Sequence, residues 1–519
     1  MNLIELLTPF ILNAQPTIPN IQIAGLVTDN RDLVVGDCFI ALAGLSQHGK
    51  TFIDDAIAKG ASAILLDGEH NESLVVEKQK AEIHYQANVP VIEIQNLKTF
   101  INALIIHFYQ HHEAHAASVF DMPLWGVTGT NGKSSITRFV AQMSTALQQP
   151  SGLMGTLGYG VWPDISASKN TTPELAILLR QFSAMQRAGA QTIAMEVSSH
   201  GIEQNRIQGL TFYAAVFSNL SQDHLDYHGD MESYFAIKRE LFLGEHLRYA
   251  IINIDDDYGQ RLLADTSITA QKISYGFNPN ADIRVLKSTS STTTIDASIT
   301  TPWGDADFTI NMVGDFNLAN VLAAIGLLAV QNVFEFQHII NAVQAITPAP
   351  GRMQTYSKTN CPTVVVDFAH TPDALSNVLS TLVKQTQGRL GVVFGCGGNR
   401  DTSKRPLMAA IAQQFADYVC LTTDNPRHEN IESIIIDMQA GFTGNVDNEN
   451  NAMISVELDR QQAIVQTLTH FNQHDMVLVA GKGHEAYQDI KGEKIPYSDE
   501  AVLLAQGYQD IQAFNKEAL

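Results

Sequence analysis

The sequence predicts an α/β protein of three domains built on mostly parallel sheets. Three observations carry that expectation. The 519 residues exceed what one ordinary core can hold. Continuous apolar runs alternate with helical patterns along the last two thirds of the chain, as in parallel sheets covered on both faces. A Gly-rich loop also stands between a strand-like run and a helical one near residue 130.

The first block, 1–116, carries short apolar runs at Ala61–Leu66 and Val89–Ile94, then a helical pattern. It closes on HHEAHAASVFDMP, a polar stretch read as a linker. The second block, 117–346, opens on the strand-like Leu124-Trp-Gly-Val-Thr128 and continues through TIAMEVSS, YAAVFSNL and YAIINID. The third, 347–519, starts at TPAPGRMQ, where two prolines and a glycine mark a boundary. Its runs TVVVDFAH, LGVVFGCG, YVCLTT and MVLVAGKG each end in a polar or Gly-rich turn. Ligands of such sheets gather at those carboxyl ends. Residues 288–294, STSSTTT, read either as low complexity or as an exposed strand.

Composition narrows the function classes. An apolar fraction of 45% and a charged fraction of 17% describe a soluble globular chain. The formal charge of -22 argues against a nucleic-acid partner held by its phosphates, though a few placed donors can still bind a small anion. No apolar run reaches the ~18 residues of a membrane span. MNLIELLTPFILN lacks a basic n-region, so it is a poor signal peptide. The four cysteines are widely spaced with no C-x-x-C pair, as expected of reduced thiols in a cytoplasmic protein.

The strongest motif is Gly126-Val-Thr-Gly-Thr-Asn-Gly-Lys-Ser-Ser135. Its glycines free backbone N–H groups for phosphate oxygens, Lys133 can reach the terminal phosphates, and the Ser134 hydroxyl can ligate Mg²⁺. Val127 stands where the standard loop has its first glycine, so the loop is a relative of that pattern. In ESYFAIKRELF, Tyr234, Lys238, Leu241 and Phe242 share a helical face, which places Lys238 among apolar neighbours. Either its head snorkels to water or something neutralises it. Asp223, His224, Asp226 and His228 can ligate a cation or serve as ordinary hydrogen-bonding groups at a strand end. His107, His111 and His115 fall at i, i+4, i+8, but zinc needs a defined fourth ligand or an open catalytic position, and none is evident. Gly395-Cys-Gly-Gly-Asn-Arg400 only partly follows a dinucleotide turn. TTDNPRHE (422–429) is either a solvated loop with a helix cap or a pocket for a ligand bearing both signs of charge.

Taken together, these residues resemble the Mur ligases, ATP-dependent amide-bond ligases of bacterial peptidoglycan precursor synthesis. TGTNGKSS, NLSQDHLDYHG, Gly314-Asp-Phe-Asn317-Leu-Ala-Asn320, Pro350-Gly-Arg352 and Asp367-Phe-Ala-His370-Thr-Pro-Asp373 occur in family order over the whole chain. MEVSSHG, GCGGNRD, DNPR and GKGHE resemble the branch that joins meso-2,6-diaminopimelate to UDP-N-acetylmuramoyl-L-alanyl-D-glutamate.

The resemblance implies a smaller N-terminal α/β domain for the UDP substrate (1–116), a central P-loop ATPase-like domain (117–346) and a C-terminal Rossmann-like domain for the amino acid (347–519). It assigns ATP to Gly129, Thr130, Asn131, Gly132, Lys133, Ser134 and Ser135, with Asn317, Arg352 and Asp367 at adenine, phosphate and ribose. Ser134 and Glu196 would hold one Mg²⁺; His224 and Lys238, the latter carbamylated by CO₂, would serve a second. The carbamate supplies the neutralising reason for Lys238. The UDP substrate would meet Thr28, Asn30, Leu45, Ser46, Gln47, Thr171, Thr172, Ser198, Gln204 and Arg206.

Diaminopimelate would meet Arg400, Asp424, Asn425, Pro426, Arg427, Gly481 and Glu485. Arginine's planar fork suits a carboxylate, Asp424 or Asn425 with Glu485 suits an ammonium, and Pro426 aims Arg427. A cytoplasmic monomer, with neither nucleic-acid nor membrane partner, is expected. Because the phosphate loop and Arg352, Asp367 and DNPR lie in different blocks, closure should assemble the site. A non-catalytic nucleotide switch, folylpolyglutamate synthase and a sibling ligase for another amino acid are the alternatives. Retention of Glu196, His224 and Lys238 disfavours the first, and DNPR with GKGHE disfavours the other two.

Overall fold

A computed structural model of the chain describes residues 1–12, 18–44, 48–68, 79–111, 118–291, 293–442 and 452–511. It contains two compact units, one of Met1–Gly126, Gln148–Ala214 and Gly244–Arg248, the other of Val127–Leu147, Ala215–Leu243 and Tyr249–Leu519.

In the first unit a five-stranded sheet runs in the order Leu26–Val27, Cys38–Ala41, Ala63–Asp67, Val89–Ile94, Ala81–Gln86. All its pairs are parallel except the last, an antiparallel hairpin. That hairpin turns on Ala87 and Asn88, both at positive φ, which matches the twist that two-residue hairpins favour. Val27, Phe39, Ile64 and Val91 form its core. The same unit pairs Thr192–Glu196 in parallel with Ser151–Gly155, which returns antiparallel as Gly158–Val161. Helix Leu175–Arg187 buries Leu175, Leu178, Leu179 and Phe182.

In the second unit helix Lys133–Ala146 follows the Gly-rich loop and is buried through most of its length. Helix Asp315–Ala329 is apolar on nearly all sides and is buried almost throughout, as such a helix must be. Strands Tyr249–Asn253, Gln271–Gly276 and Ile283–Ser290 are parallel, and Ile295–Thr301 and Gly304–Ile310 continue antiparallel. Residues 288–290 of the threonine- and serine-rich stretch form the exposed end of strand Ile283–Ser290.

A seven-stranded sheet completes the unit: Met453–Val456, Tyr418–Leu421, Leu390–Phe394, Met476–Ala480, Thr363–Asp367, Gln354–Ser357, Gln509–Asp510. Its first five strands are mutually parallel. Alternate residues serve two separate cores. Val365, Val392 and Phe394 pack with Leu375, Leu379 and Met408, whereas Val364, Val366 and Val393 pack with Tyr356, Ile464 and Val502. Both faces are thus covered, which explains why the strands read as unbroken apolar runs. Among the described residues no helix is long and apolar enough to cross a membrane.

Candidate active site

The phosphate loop sits between strand Leu124–Thr128 and helix Lys133–Ala146. Gly129 and Gly132 take positive φ, and a Cβ on Gly129 would lie 2.0 Å from Ser218 Oγ. Only glycine fits there. The loop is fastened from below: Asn131 N donates to Asn219 Oδ1 (2.9 Å) and Ser218 Oγ donates to Asn131 O (2.5 Å). Lys133 Nζ donates to Gly129 O (2.8 Å) and Thr130 O (2.9 Å).

A cavity of about 360 Å³ opens over this helix N-terminus, lined by Asn131, Gly132, Ser134, Ser135, Asn317, Asn320, Arg352 and Asp367. The structure thus brings together the loop and the three residues expected at adenine, phosphate and ribose. Asn317 Nδ2 donates to Val313 O (2.8 Å). Asp367 accepts from Met353 N (2.7 Å) and Ala369 N (2.8 Å), and burial raises its pKa while Arg352 opposes that shift.

Lys238 is 1% exposed on helix Met231–Arg239, so it does not snorkel. Its Nζ donates to Gly129 O (3.0 Å), reaches Thr128 Oγ1 at 3.5 Å and lies 4.7 Å from the Tyr234 ring centroid. Burial, and next the Lys133 charge, hold its pKa well below the lysine range. Burial that disfavours the ammonium suits the carbamate expected there, because CO₂ adds to the unprotonated amine.

The NLSQDHLDYHG stretch divides. Asp226 is exposed, while Asp223 is buried against Lys404 Nζ (3.2 Å), His224 Nε2 (3.3 Å) and His370 Nε2 (3.6 Å). Asp223 is therefore an ion-paired anchor, held below the usual carboxylate range by His370, then Lys404, against its own burial. Neither this stretch nor any other described residues gather three His, Cys, Asp or Glu side chains in metal-binding array. Mg²⁺ coordinated by a hydroxyl, phosphate oxygens and water needs no such array, and the Ser134 hydroxyl at the cavity wall fits it. The His107 and His111 rings meet tilted, with centroids 4.4 Å apart, and His107 Nε2 lies 3.3 Å from Glu5 O. His115 lies outside the described residues.

A second cavity of the same unit, about 190 Å³, lies at the carboxyl ends of the third-block strands. Its walls include Asp223, His370, Gly397, Arg400, Lys404, Asp424, Asn425, Arg427, Gly481 and Glu485. Pro426 is buried beside them. TTDNPRHE is consequently no solvated loop. Arg427 stands at φ 51, and its backbone is clamped by bonds to Asp489 O (2.9 Å) and from Lys491 N (2.6 Å). Its Nη1 donates to Gly398 O (2.8 Å). Burial, and then Arg400, lower the Arg427 pKa, so two guanidiniums face one space and call for an anion between them. Glu429 points away from this cavity's chemistry, with both oxygens on fully buried Arg405 (2.7 and 2.8 Å).

In the first unit a cavity of about 750 Å³ is lined by Thr28, Asn30, Arg31, Asn102, Gln204 and Gln208, among others. Asn30 Nδ2 is held by Asp55 Oδ2 (2.6 Å). Arg206 bonds Gln204 Oε1 (2.6 Å) and Thr172 O (2.8 Å). Thr172 Oγ1 donates to Glu196 O (3.0 Å) and accepts from Ser198 N (3.0 Å); Thr171 Oγ1 meets Thr156 Oγ1 (2.9 Å). Leu45, Ser46 and Gln47 lie outside the described residues.

Sequence reading named Glu196 but passed over the groups that hold it. Glu196, 1% exposed, accepts from Thr156 N (2.8 Å) and Thr156 Oγ1 (3.3 Å), and a Cβ on Gly155 would lie 2.1 Å from its Oε1. Gly155→Ala is expected to displace this carboxylate and lower catalytic turnover about 100-fold while leaving the unfolding midpoint nearly unchanged, measured by phosphate release and urea titration. Lys404 and Arg405 were also missed; the signal was two buried cations opening helix Lys404–Phe415. Lys482, between two glycines of GKGHE, is wholly buried.

His484 of the same motif packs 5.6 Å from Phe368, and burial, then Arg352, bring its pKa down to about 4. The unfolded chain then binds a proton that the native state refuses as pH falls from about 6.5 to about 4, costing up to about 3 kcal/mol of stability. His484→Gln is expected to flatten that acid limb in urea titrations.

A glycine-bordered phosphate loop, a nucleotide-sized cavity and a zwitterion-lined cavity at the ends of parallel strands define a carboxylate–amine ligase that spends a nucleotide. Three family profiles agree: Mur ligase family, catalytic domain, over 22–109; Mur ligase middle domain over 127–328; and Mur ligase, glutamate ligase domain, over 351–483. The chain belongs to the Mur ligase family.

Its relatives include the UDP-N-acetylmuramoyl-L-alanyl-D-glutamate–2,6-diaminopimelate ligase of Coxiella burnetii, 39% identical over 486 residues, covering 92% of this chain and 94% of that protein. The enzyme of the same name from Neisseria meningitidis serogroup A is 40% identical over 504 residues, covering 95% and 97%. A solved structure of an enzyme with that name matches 98% of this chain and 100% of its own at TM-score 0.63 and 31% identity. MurF from Acinetobacter baumannii shares the fold, with TM-score 0.69, 14% identity and 97% of each chain covered.

Proposed function

We propose that this chain joins meso-2,6-diaminopimelate to UDP-N-acetylmuramoyl-L-alanyl-D-glutamate with hydrolysis of ATP to ADP and phosphate. The carrying observation is the cavity where Arg400 and Arg427 face Asp424, Asn425 and Glu485. It offers both charges that the distal end of a diamino diacid presents. Lysine has the ammonium alone and leaves Arg427 without an anion.

A carboxylate is a poor electrophile, so the reaction first moves the γ-phosphoryl group of ATP onto the D-glutamate γ-carboxylate. The amine of diaminopimelate attacks the acyl phosphate, and the tetrahedral intermediate expels phosphate. Lys133 stabilises charge on the transferring group. Asn317, Arg352 and Asp367 seat the nucleotide, and the first-unit cavity with Thr28, Asn30 and Gln204 takes the UDP moiety. Ser134 and Glu196 would hold one Mg²⁺, and His224 with carbamylated Lys238 a second; bound there, the ions would supply the positive charge that lets two anions meet. We place the work in three modules, 1–116, 117–346 and 347–519, in a cytoplasmic monomer.

Phosphate release in bicarbonate-supplied enzyme, with ATP, the UDP-muramoyl dipeptide and either diaminopimelate or lysine, tests the proposal. Release dependent on diaminopimelate is expected. Its absence would sink the ligase reading, and equal use of lysine would sink the substrate assignment.

A further inference from the structure

The amino-acid cavity has a charged group beneath its floor. Lys482 Nζ is fully buried and contacts Glu485 Oε2 (2.9 Å), Asn425 Oδ1 (3.1 Å) and Asp424 Oδ1 (3.4 Å). It also lies 5.8 Å from the Tyr487 ring centroid. Asp424, Asn425 and Glu485 line the cavity together with Gly481, whereas Lys482 does not, so the ammonium lies behind that wall. An ammonium here cannot meet solvent and cannot reach the ligand's reacting amine. What it can do is set the charge that the ligand encounters.

The count follows from the residues in place. The cavity walls carry Arg400, Arg427 and Lys404 against Asp223, Asp424 and Glu485. Those charges balance, so Lys482 alone leaves the site with an excess of one positive charge, histidines counted as neutral. A diamino diacid about to attack has two carboxylates, one ammonium and one neutral amine, hence one net negative charge. Lysine in the same reactive form is neutral overall. A fixed charge in a desolvated site discriminates between ligands that differ by one charge.

We propose that Lys482 is the specificity-setting counter-ion of this site, neutralising one of the two carboxylates so that a net-anionic diamino acid is favoured over a net-neutral one. It shares its ammonium between Asp424 and Glu485, and the single negative charge left over meets the ligand's distal ammonium. Asn425 holds the pair in register, because its Nδ2 donates to Glu485 Oε2 (2.9 Å) while its Oδ1 accepts from Lys482. Lys482 therefore acts as a positioning and charge-balancing residue without touching the substrate. The inference rests on the diaminopimelate assignment above.

The test compares kcat/KM for diaminopimelate and lysine in the full chain, with the parent enzyme measured first. A parent that does not prefer diaminopimelate refutes the assignment itself and leaves nothing for Lys482 to explain. Given that preference, Lys482→Met is expected to lower the diaminopimelate-to-lysine ratio about tenfold or more through KM, with KM for ATP unchanged. Lys482→Arg, which keeps the charge, should hold the ratio nearer the parent's.

The double variant Lys482→Met/Asp424→Asn restores the charge balance and leaves Glu485 for the ammonium. With one carboxylate fewer left unpaired than in the single variant, it tests the idea even where that variant does not fold. Its ratio is expected to return to within about threefold of the parent's. A folded Lys482→Met enzyme that keeps the parental ratio, or loses both substrates equally, overturns the proposal. So does a double variant whose ratio stays tenfold or more below the parent's.

Discussion

Replacing Lys238 with alanine is expected to cut amino-acid-dependent phosphate release by about a thousandfold. The residue sits at the far end of the phosphate loop, bonded to Gly129 O and pressed against Tyr234. Its burial makes a permanent cation expensive, and Lys133 nearby worsens that cost. Burial and the Lys133 charge favour the unprotonated amine, and on the function proposed above CO₂ adds to it with loss of one proton to give an anionic oxygen ligand. Activity of the parent should fall when dissolved CO₂ is removed and return with bicarbonate. Residual activity of Lys238→Ala should respond to neither. Mass spectrometry of the gently handled protein would show one added CO₂ on the peptide containing Lys238. A Lys238→Ala enzyme with parental turnover would exclude the role outright.

Arg427→Ala should lower kcat/KM for diaminopimelate on the order of 100-fold while leaving KM for ATP within about threefold. Arg427 is not a free surface arm. A left-handed backbone conformation and bonds on both sides of its peptide unit hold it, and the guanidinium rests on Gly398 O. Arg400 across the cavity repels it, and a bound carboxylate relieves that repulsion. Removing Arg427 deletes one of the two guanidiniums lining the proposed amino-acid cavity and none of the residues lining the proposed nucleotide cavity. Equal losses in diaminopimelate use and ATP binding would refute a selectivity role.

Much of the site was legible before any coordinates. Gly129, Gly132, Lys133 and Ser134 are contiguous, and a phosphate loop is a local structure whose backbone conformation its own residues dictate. Continuous apolar strands announced the parallel sheets, and the turns after them announced where a ligand would sit. Helical phase placed Lys238 on an apolar face, and only the structure decided that its head is buried and does not snorkel.

Pairing between distant segments was not legible. Asp223 and Lys404 lie 181 positions apart, Asp424 and Lys482 58 apart, and no local rule relates them. Four acids of the most telling loops thus divide by partner: Asp223 goes to Lys404, Glu429 to Arg405, and Asp424 and Glu485 share Lys482. Gly155 likewise carries no local signal, because the space of its missing side chain is taken by Glu196, 41 positions on.

The sequence by itself determined the elements, the phosphate loop and the residue types that the chemistry demands, because each depends on neighbours within a turn or a strand. Only the tertiary structure decided which charges are already neutralised and which remain for a ligand. That division is set by contacts across the sheet ends, between residues that lie far apart in the sequence.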